Sequence, residues 1–257
     1  MAWTKVKTAI VIGVGVLVVA GSAEVTVNKI EENDSWRSIF HLYSQSALLA
    51  GMDKTTPQIT ILPTIHPKWG FSWFPASNGR MIGINASVTN LLQVAYQQRP
   101  SRMIFSEPAP AGKYDFIANL PQGSAEAFRQ KIKEQFGLAA RVETVKADLW
   151  VLKISDPEKL KTIASKSSRP HTESSYGKIT IEDKPVSGLA DTLEGLLLKA
   201  PVLDQTGLSE RYDFTLHWDS YDKSKRTPMI VDQLRQIGLE LVPTNMPVEM
   251  LVVEKAQ

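Results

Sequence analysis

Cysteine is absent from all 257 residues. That excludes disulfides, thiolate catalysis, cysteine-held metal and a lipid-modified cysteine. Histidine is scarce: His41, His66, His171 and His217 are the four present. No two of them stand at i, i+4 or any other metal-ligand spacing, so neither a metal site nor a cofactor is expected. Runs of Lys and Arg are missing and the formal net charge is only +2, where a nucleic-acid binder usually shows a basic face or stripe. There is no His-Glu-x-x-His and no Gly-x-Ser-x-Gly elbow, and no catalytic residue is nominated. A Ser-His-Asp triad is dispersed along a chain, so local motifs do not address it. Gly13 and Gly15 follow apolar residues, but the third glycine of a dinucleotide fingerprint is missing. Cysteine usage alone does not identify a compartment.

Long apolar runs are also missing, with one exception. Lys5 and Lys7 precede an uncharged stretch, residues 8–23, built on Ile10-Val11-Ile12 and Val16-Leu17-Val18-Val19 and closed by Ala20-Gly21-Ser22-Ala23. A basic start, apolar middle and small-residue end form the layout of an export signal. Two readings stand: cleavage after Ala23, or retention as an inner-membrane anchor with the basic flank in the cytoplasm and the remainder in the periplasm. A buried element of the globular part is the bland reading. Elsewhere the 43% hydrophobic content and mean hydropathy of -0.14 fit a folded chain and exclude a disordered or polytopic membrane protein.

What is present is a pattern that occurs twice. Gln135-Phe136-Gly137-Leu138 recurs as Gln236-Ile237-Gly238-Leu239, an offset of 101, and Lys113-Tyr114-Asp115-Phe116 recurs as Arg211-Tyr212-Asp213-Phe214, an offset of 98. A period that long suits a duplicated small domain. The first copy reads as a strand at Met81-Ile82, a helix capped by Ser87 with Val88, Leu91, Leu92, Ala95 and Tyr96 on one face, and a strand at 113–120. A second helix capped by Ser124 and ended by Gly137 follows, then a hairpin pairing 138–144 with 148–154. The second copy reads as a strand at 178–182, a helix with Leu189, Leu193, Leu196 and Leu197 aligned, and a strand at 211–218 with Tyr212, Phe214, Leu216 and Trp218 inward and Asp213, Thr215 and His217 outward. Thr227-Pro228 opens its second helix, Gly238 ends it, and 239–242 pairs with 249–254.

The expected fold class is therefore α+β: an N-terminal transmembrane or signal helix followed by two tandem β-α-β-α-β-β modules, helices packed on a mixed sheet. The expected organisation is 1–23 signal or anchor, 24–79 juxtamembrane helix, strand and aromatic loop, 80–155 first module, 156–177 polar linker, and 178–257 second module. In the second segment Trp36, Phe40, Tyr43 and Ala47 recur at helical spacing, Ile59-Thr60-Ile61-Leu62 reads as a strand, and 67–79 reads as a loop.

Several blocks resemble an uncharacterised, soil-associated bacterial protein family. They are Leu91-Leu92-Gln93-Val94-Ala95-Tyr96, Lys113-Tyr114-Asp115-Phe116-Ile117-Ala118, and Asp204-Gln205-Thr206-Gly207-Leu208 running into Arg211-Tyr212-Asp213-Phe214. Gln236-Ile237-Gly238-Leu239 with Pro247-Val248-Glu249-Met250 also fits. The resemblance spans roughly residues 57 to 255 and implies an exported or membrane-anchored domain of unknown function. Some members stand behind an antibiotic-sensor-type membrane zinc peptidase, an activity whose motif this chain lacks. Members often carry a tryptophan shortly before the first Tyr-Asp, where this chain has Glu107-Pro108-Ala109.

The residues singled out as a binding or structural motif are Trp69, Trp73, Tyr114, Asp115, Asp204, Arg211, Tyr212 and Asp213. Asp115 and Asp213 occupy equivalent places. As an acid–base pair they need to lie roughly 5–10 Å apart; as duplicated structural residues each accepts hydrogen bonds from a nearby turn or arginine. Tyr114 and Tyr212 read as core aromatics, and Asp204 as part of a glycine turn. Trp69 and Trp73, with Phe71 and Phe74, either dock a ligand or fold back over a sheet edge. The expected function is a non-catalytic binding or assembly protein of the bacterial envelope. An envelope protein or small ligand would be its partner, with no nucleic acid, and strands such as 249–254 would accept another strand. The alternatives are an envelope hydrolase and a ligand sensor signalling through the N-terminal helix.

Overall fold

A computed structural model describes residues 36–42 and 44–256. The expected export segment, 1–23, and Tyr43 lie outside the described residues. Among the described residues no helix is long and apolar enough to cross a membrane. The chain divides into two compact units, Met1–Thr55 and Thr56–Gln257.

In the first unit the helical spacing of Trp36, Phe40, Tyr43 and Ala47 predicts one helix. Two pieces form instead, a 3-10 turn at Trp36–His41 and α1 at Gln45–Asp53. Ser44 explains the restart: its backbone is extended and its hydroxyl accepts the Ala47 N–H at 3.2 Å, satisfying an orphan donor of the new first turn. The two pieces meet closely, since a Cβ on Gly51 would fall 2.9 Å from Ile39 Cγ2.

The second unit is mixed α+β. It opens with β1 (Ile59–Pro63) and β2 (Ser72–Pro75). Then come β3 (Met81–Ala86), α2 (Val88–Tyr96), β4 (Met103–Phe105), β5 (Tyr114–Ala118), α3 (Ser124–Phe136) and β6 (Leu138–Ile154), the first half. After α4 (Pro157–Leu160) and β7 (His171–Ser175) the same order returns as the second half. It comprises β8 (Lys178–Pro185), α5 (Val186–Thr192), β9 (Val202–Asp204), β10 (Arg211–His217), α6 (Lys223–Gln236) and β11 (Leu239–Lys255). The sheets run β1-β5-β3-β2, β10-β8-β7 and β4-β11-β6-β9.

Each half thus runs β-α-β-β-α-β, and the expected closing hairpins do not form. β6 and β11 are unbroken strands of 17 residues, antiparallel along their whole length, with Leu138 opposite Lys255 and Ile154 opposite Leu239. Val145-Lys146-Ala147 holds no residue suited to the positive φ of a tight hairpin turn. Pro243 and Pro247 suggest a turn, but their backbone nitrogens point off the ribbon. The Ser106 N–H donates to Val253 O at 3.0 Å, so by alternation the odd-numbered residues of β11 face away from β6. Prolines there remove no bond between the two strands. Nor is 249–254 a free edge as expected, since β11 runs between β6 and, at Leu251 to Val253, β4.

The short parallel strands cross over: β4 of the first half pairs with β11, and β9 of the second half pairs with β6. The cores follow suit. Leu251 and Val253 of β11 enter the core of Phe116, Phe128 and Ile132, while Leu152 of β6 enters that of Phe214, Ile230 and Leu234. In β10 Tyr212, Phe214 and Leu216 are buried and Arg211, Thr215 and His217 exposed, and each large apolar side chain gains roughly 1.5–3 kcal/mol by leaving water.

Local expectations are met or corrected for identifiable reasons. Ser87 and Asn90 form a capping box on α2. Ser124 is inside α3 rather than its cap; Gly123 holds that place and the Ser124 hydroxyl donates to Leu120 O. Helix α6 begins ahead of Thr227-Pro228, because Asp222 accepts both the N–H and the hydroxyl of Ser224. The aromatic stretch 67–79 contains β2, and the polar stretch 156–177 contains α4 and β7. Leu196 is 51% exposed. The helix that α5 starts continues as a π-helix over Leu193–Leu198, and the wider turn rotates Leu196 off the apolar face.

Gly238 sits at φ 89 with the position of a Cβ only 2.2 Å from Asp156 O. Its own carbonyl accepts the N–H groups of Ser155 and Asp156 at 2.9 and 3.1 Å. Gly238→Ala is expected to cost about 2 kcal/mol or more in denaturant unfolding, whereas Gly195→Ala, with open space around it, stays within about 1 kcal/mol of the native chain.

Candidate functional site

The motif residues gather around two β-bulges, one in each half. In β3 the bulge falls at Asn85, φ 54, and in β8 at Asp183, φ 51. Each exposes a backbone N–H that an aspartate 30 residues later accepts at 2.9 Å: Asn85 to Asp115, Asp183 to Asp213. Asp115 is 2% exposed and also takes the Thr64 hydroxyl at 2.6 Å and the Ile65 N–H at 3.0 Å. The two aspartates lie in different sheets, each clamping the bulge of its own half.

The clamps differ in how the bulge residue is satisfied. Arg211 donates Nε to Asp183 Oδ1 at 2.7 Å and a second nitrogen to Asp183 O at 2.6 Å. In the first half Asn85, only 3% exposed, donates to Trp69 O, and its Oδ1 is left without a partner. Lys113 occupies the sequence place of Arg211 and is exposed.

Of the remaining motif residues, all but Asp204 sit on or beside the strands of these clamps. Tyr114 packs edge-on against Phe136 with centroids 5.0 Å apart and donates its hydroxyl to Ala111 O at 3.3 Å. Tyr212 is 6% exposed; burial, and then Glu210, raise its phenol above the usual value. Trp69 stacks on His66 at 3.8 Å. Trp73 lies in β2, which pairs with β3, and packs with Phe71 against the first core. Asp204 closes a turn by accepting the N–H and hydroxyl of Thr206 at 2.9 and 2.7 Å. Among the described residues no group of three His, Asp or Glu is placed to hold a metal.

Sequence reading missed the most deeply buried ion pair among the described residues. Glu194, 1% exposed, lies on the π-helix of the second half. Arg102, beside β4 of the first half, grips it with Nε at 2.8 Å and Nη2 at 2.7 Å; Ser101 Oγ donates at 2.8 Å and the Val202 N–H at 3.0 Å. Burial raises the Glu194 carboxyl, but hydrogen bonds from Arg102, Val202 and Ser101 outweigh it and hold it below the usual range. The one sequence sign was an acidic residue among leucines, Leu193-Glu194-Gly195-Leu196. This pair fastens the second-half helix to the first-half strand.

These clamps and the ribbon define a mixed α+β scaffold. The chain belongs to the family described as "Protein of unknown function (DUF3738)", whose profile matches residues 89–256. That span starts inside α2 and runs through β11, leaving β1 to β3 outside. No curated protein and no solved structure matches the chain.

Two outcomes test the site. Arg102→Met removes both guanidinium bonds, leaves the Glu194 carboxylate to Ser101, the Val202 N–H and Arg99 Nη1 at 3.9 Å, and is expected to cost about 3 kcal/mol at neutral pH. In the native chain the lowered carboxyl contributes stability that is full above its unfolded pKa and lost as pH falls through its folded value. In the variant fewer partners oppose burial and this contribution shrinks, so urea midpoints measured from pH 4 to 8 gain less with rising pH than those of the native chain. Asn85→Asp buries an unpaired carboxylate beside Asp115 and lowers Tm, and adding Lys113→Arg recovers part of the loss by rebuilding the Asp183–Arg211 arrangement.

Proposed function

We propose that this chain is an exported or membrane-anchored, non-catalytic binding or assembly protein of the bacterial cell envelope, derived from a tandem duplication. The basic-apolar-small pattern of residues 5–23 supports export. The repeated element order and the matching bulge clamps support duplication. The observation that carries a binding role is an open strand edge. Trp150 N–H donates outward to Pro201 O, and Leu152 O accepts outward from the Gln205 N–H, 2.9 and 3.0 Å. By alternation the other even-numbered residues of β6 present their backbone groups along the same edge. At Val142, Thr144, Lys146 and Asp148 these groups have no strand partner among the described residues. Unpaired backbone on a sheet edge invites another strand.

A photo-reactive residue placed at Thr144 in the full chain, expressed in its own bacterium, is expected to give a discrete adduct in the envelope fraction. The same probe at exposed Lys161 is expected to give none. Recovery of the chain wholly in the cytoplasm, or equal adducts from both positions, overturns the reading.

A further inference from the structure

Resting on that reading, we infer that the β6 edge takes one short extended peptide of another protein, about seven residues long, with apolar and polar side chains alternating. Both ends of the slot are closed. At one end Leu138, Ala140 and Tyr96 pack together against the first core, and at the other β9 pairs from Trp150 onward. Between them residues 142–148 span roughly 24 Å at about 3.4 Å per residue. The chain already adds short strands to this ribbon, since β9 and β4 each contribute three paired residues, and an incoming segment continues the line of β9 along the same edge.

The two faces of the ribbon set the peptide's chemistry. On one, Val145 and Ala147 adjoin buried Leu149, Val151, Val248 and Met250. On the other, Thr144, Lys146 and Asp148 are exposed. A strand laid beside them puts successive side chains on these faces in turn. A second copy's β6 does not fit the slot: it is 17 residues long and carries its own β9 on the same edge.

The opposite edge of the ribbon is closed to such an addition. Pro243 and Pro247 occupy outward positions of β11, 101 residues after Val142 and Lys146, the offset that relates Gly137 to Gly238. Without N–H groups they cannot extend the sheet, so one peptide binds per chain.

The probe is a capped, fluorescein-labelled heptapeptide, Val-Thr-Val-Lys-Val-Thr-Val, with a counterpart N-methylated at alternate residues. The full purified chain is expected to bind the first saturably at one per chain and the second at least tenfold more weakly. Amide exchange at Val142, Thr144, Lys146 and Asp148 should slow with the first peptide only. The double variant Val142→Pro and Lys146→Pro copies β11, loses no bond within the ribbon, and is expected to keep Tm within a few degrees while losing tenfold or more in affinity. Equal binding of both peptides, no binding, or unchanged exchange at the four amides overturns the inference, and these outcomes do not depend on the variant folding. If Thr144 still gives its discrete adduct, only the strand-addition inference has failed; if the adduct is missing too, the binding reading fails with it.

Discussion

The antiparallel pairing of β6 with β11 is the constraint on which the second unit depends. A two-stranded ribbon is marginal in water by itself. This one persists because its ends are buried in two different cores and each end gains a third strand from the other half. Residue 146 faces Pro247 at its midpoint, with eight pairs to either side. The middle keeps one apolar face and one polar face, and only its edges remain to be managed. On β11 prolines close the edge, and on β6 nothing equivalent does.

The buried charges serve the same architecture. Glu194 and Arg102 lie in different halves, and their bidentate contact fixes α5 and its π-helix against the strand that β4 adds to β11. A buried ion pair contributes little net stability over an apolar pair, but removing one partner is costly; here the two partners come from opposite halves. The bulge clamps act more locally. Asp115 and Asp213 each hold a left-handed residue in a central strand, a conformation that bulky residues reach only with strain.

Much of this was legible in the residues and some was not, for physical reasons. The cap at Ser87, the face of α2, the alternation of β10 and the terminators Gly137 and Gly238 are local signals, and they hold. Strand pairing between β6 and β11 joins residues up to 117 apart, Leu138 to Lys255, and no local pattern encodes such a partner. The prolines of β11 sit in a strand without breaking it because their nitrogens face outward. Thr227-Pro228 misled because Asp222 caps the helix a turn earlier. In the candidate site, the recurrence of Tyr-Asp marked both clamps, but Asn85 and Asp183 carry no signature because a bulge is a property of two strands together. Glu194 was hidden by its leucine neighbours, and its partner lies 92 residues away.

One consequence follows from the way the ribbon closes both cores. β11 comes after every other element in chain order, yet it supplies Leu239 and Leu241 to one core and Leu251 and Val253 to the other. A ribosome releasing this polypeptide residue by residue therefore cannot leave behind a finished first half while the second is still being made. Both cores stay open until β11 pairs with β6, and the long-range contacts that close them make that step slow.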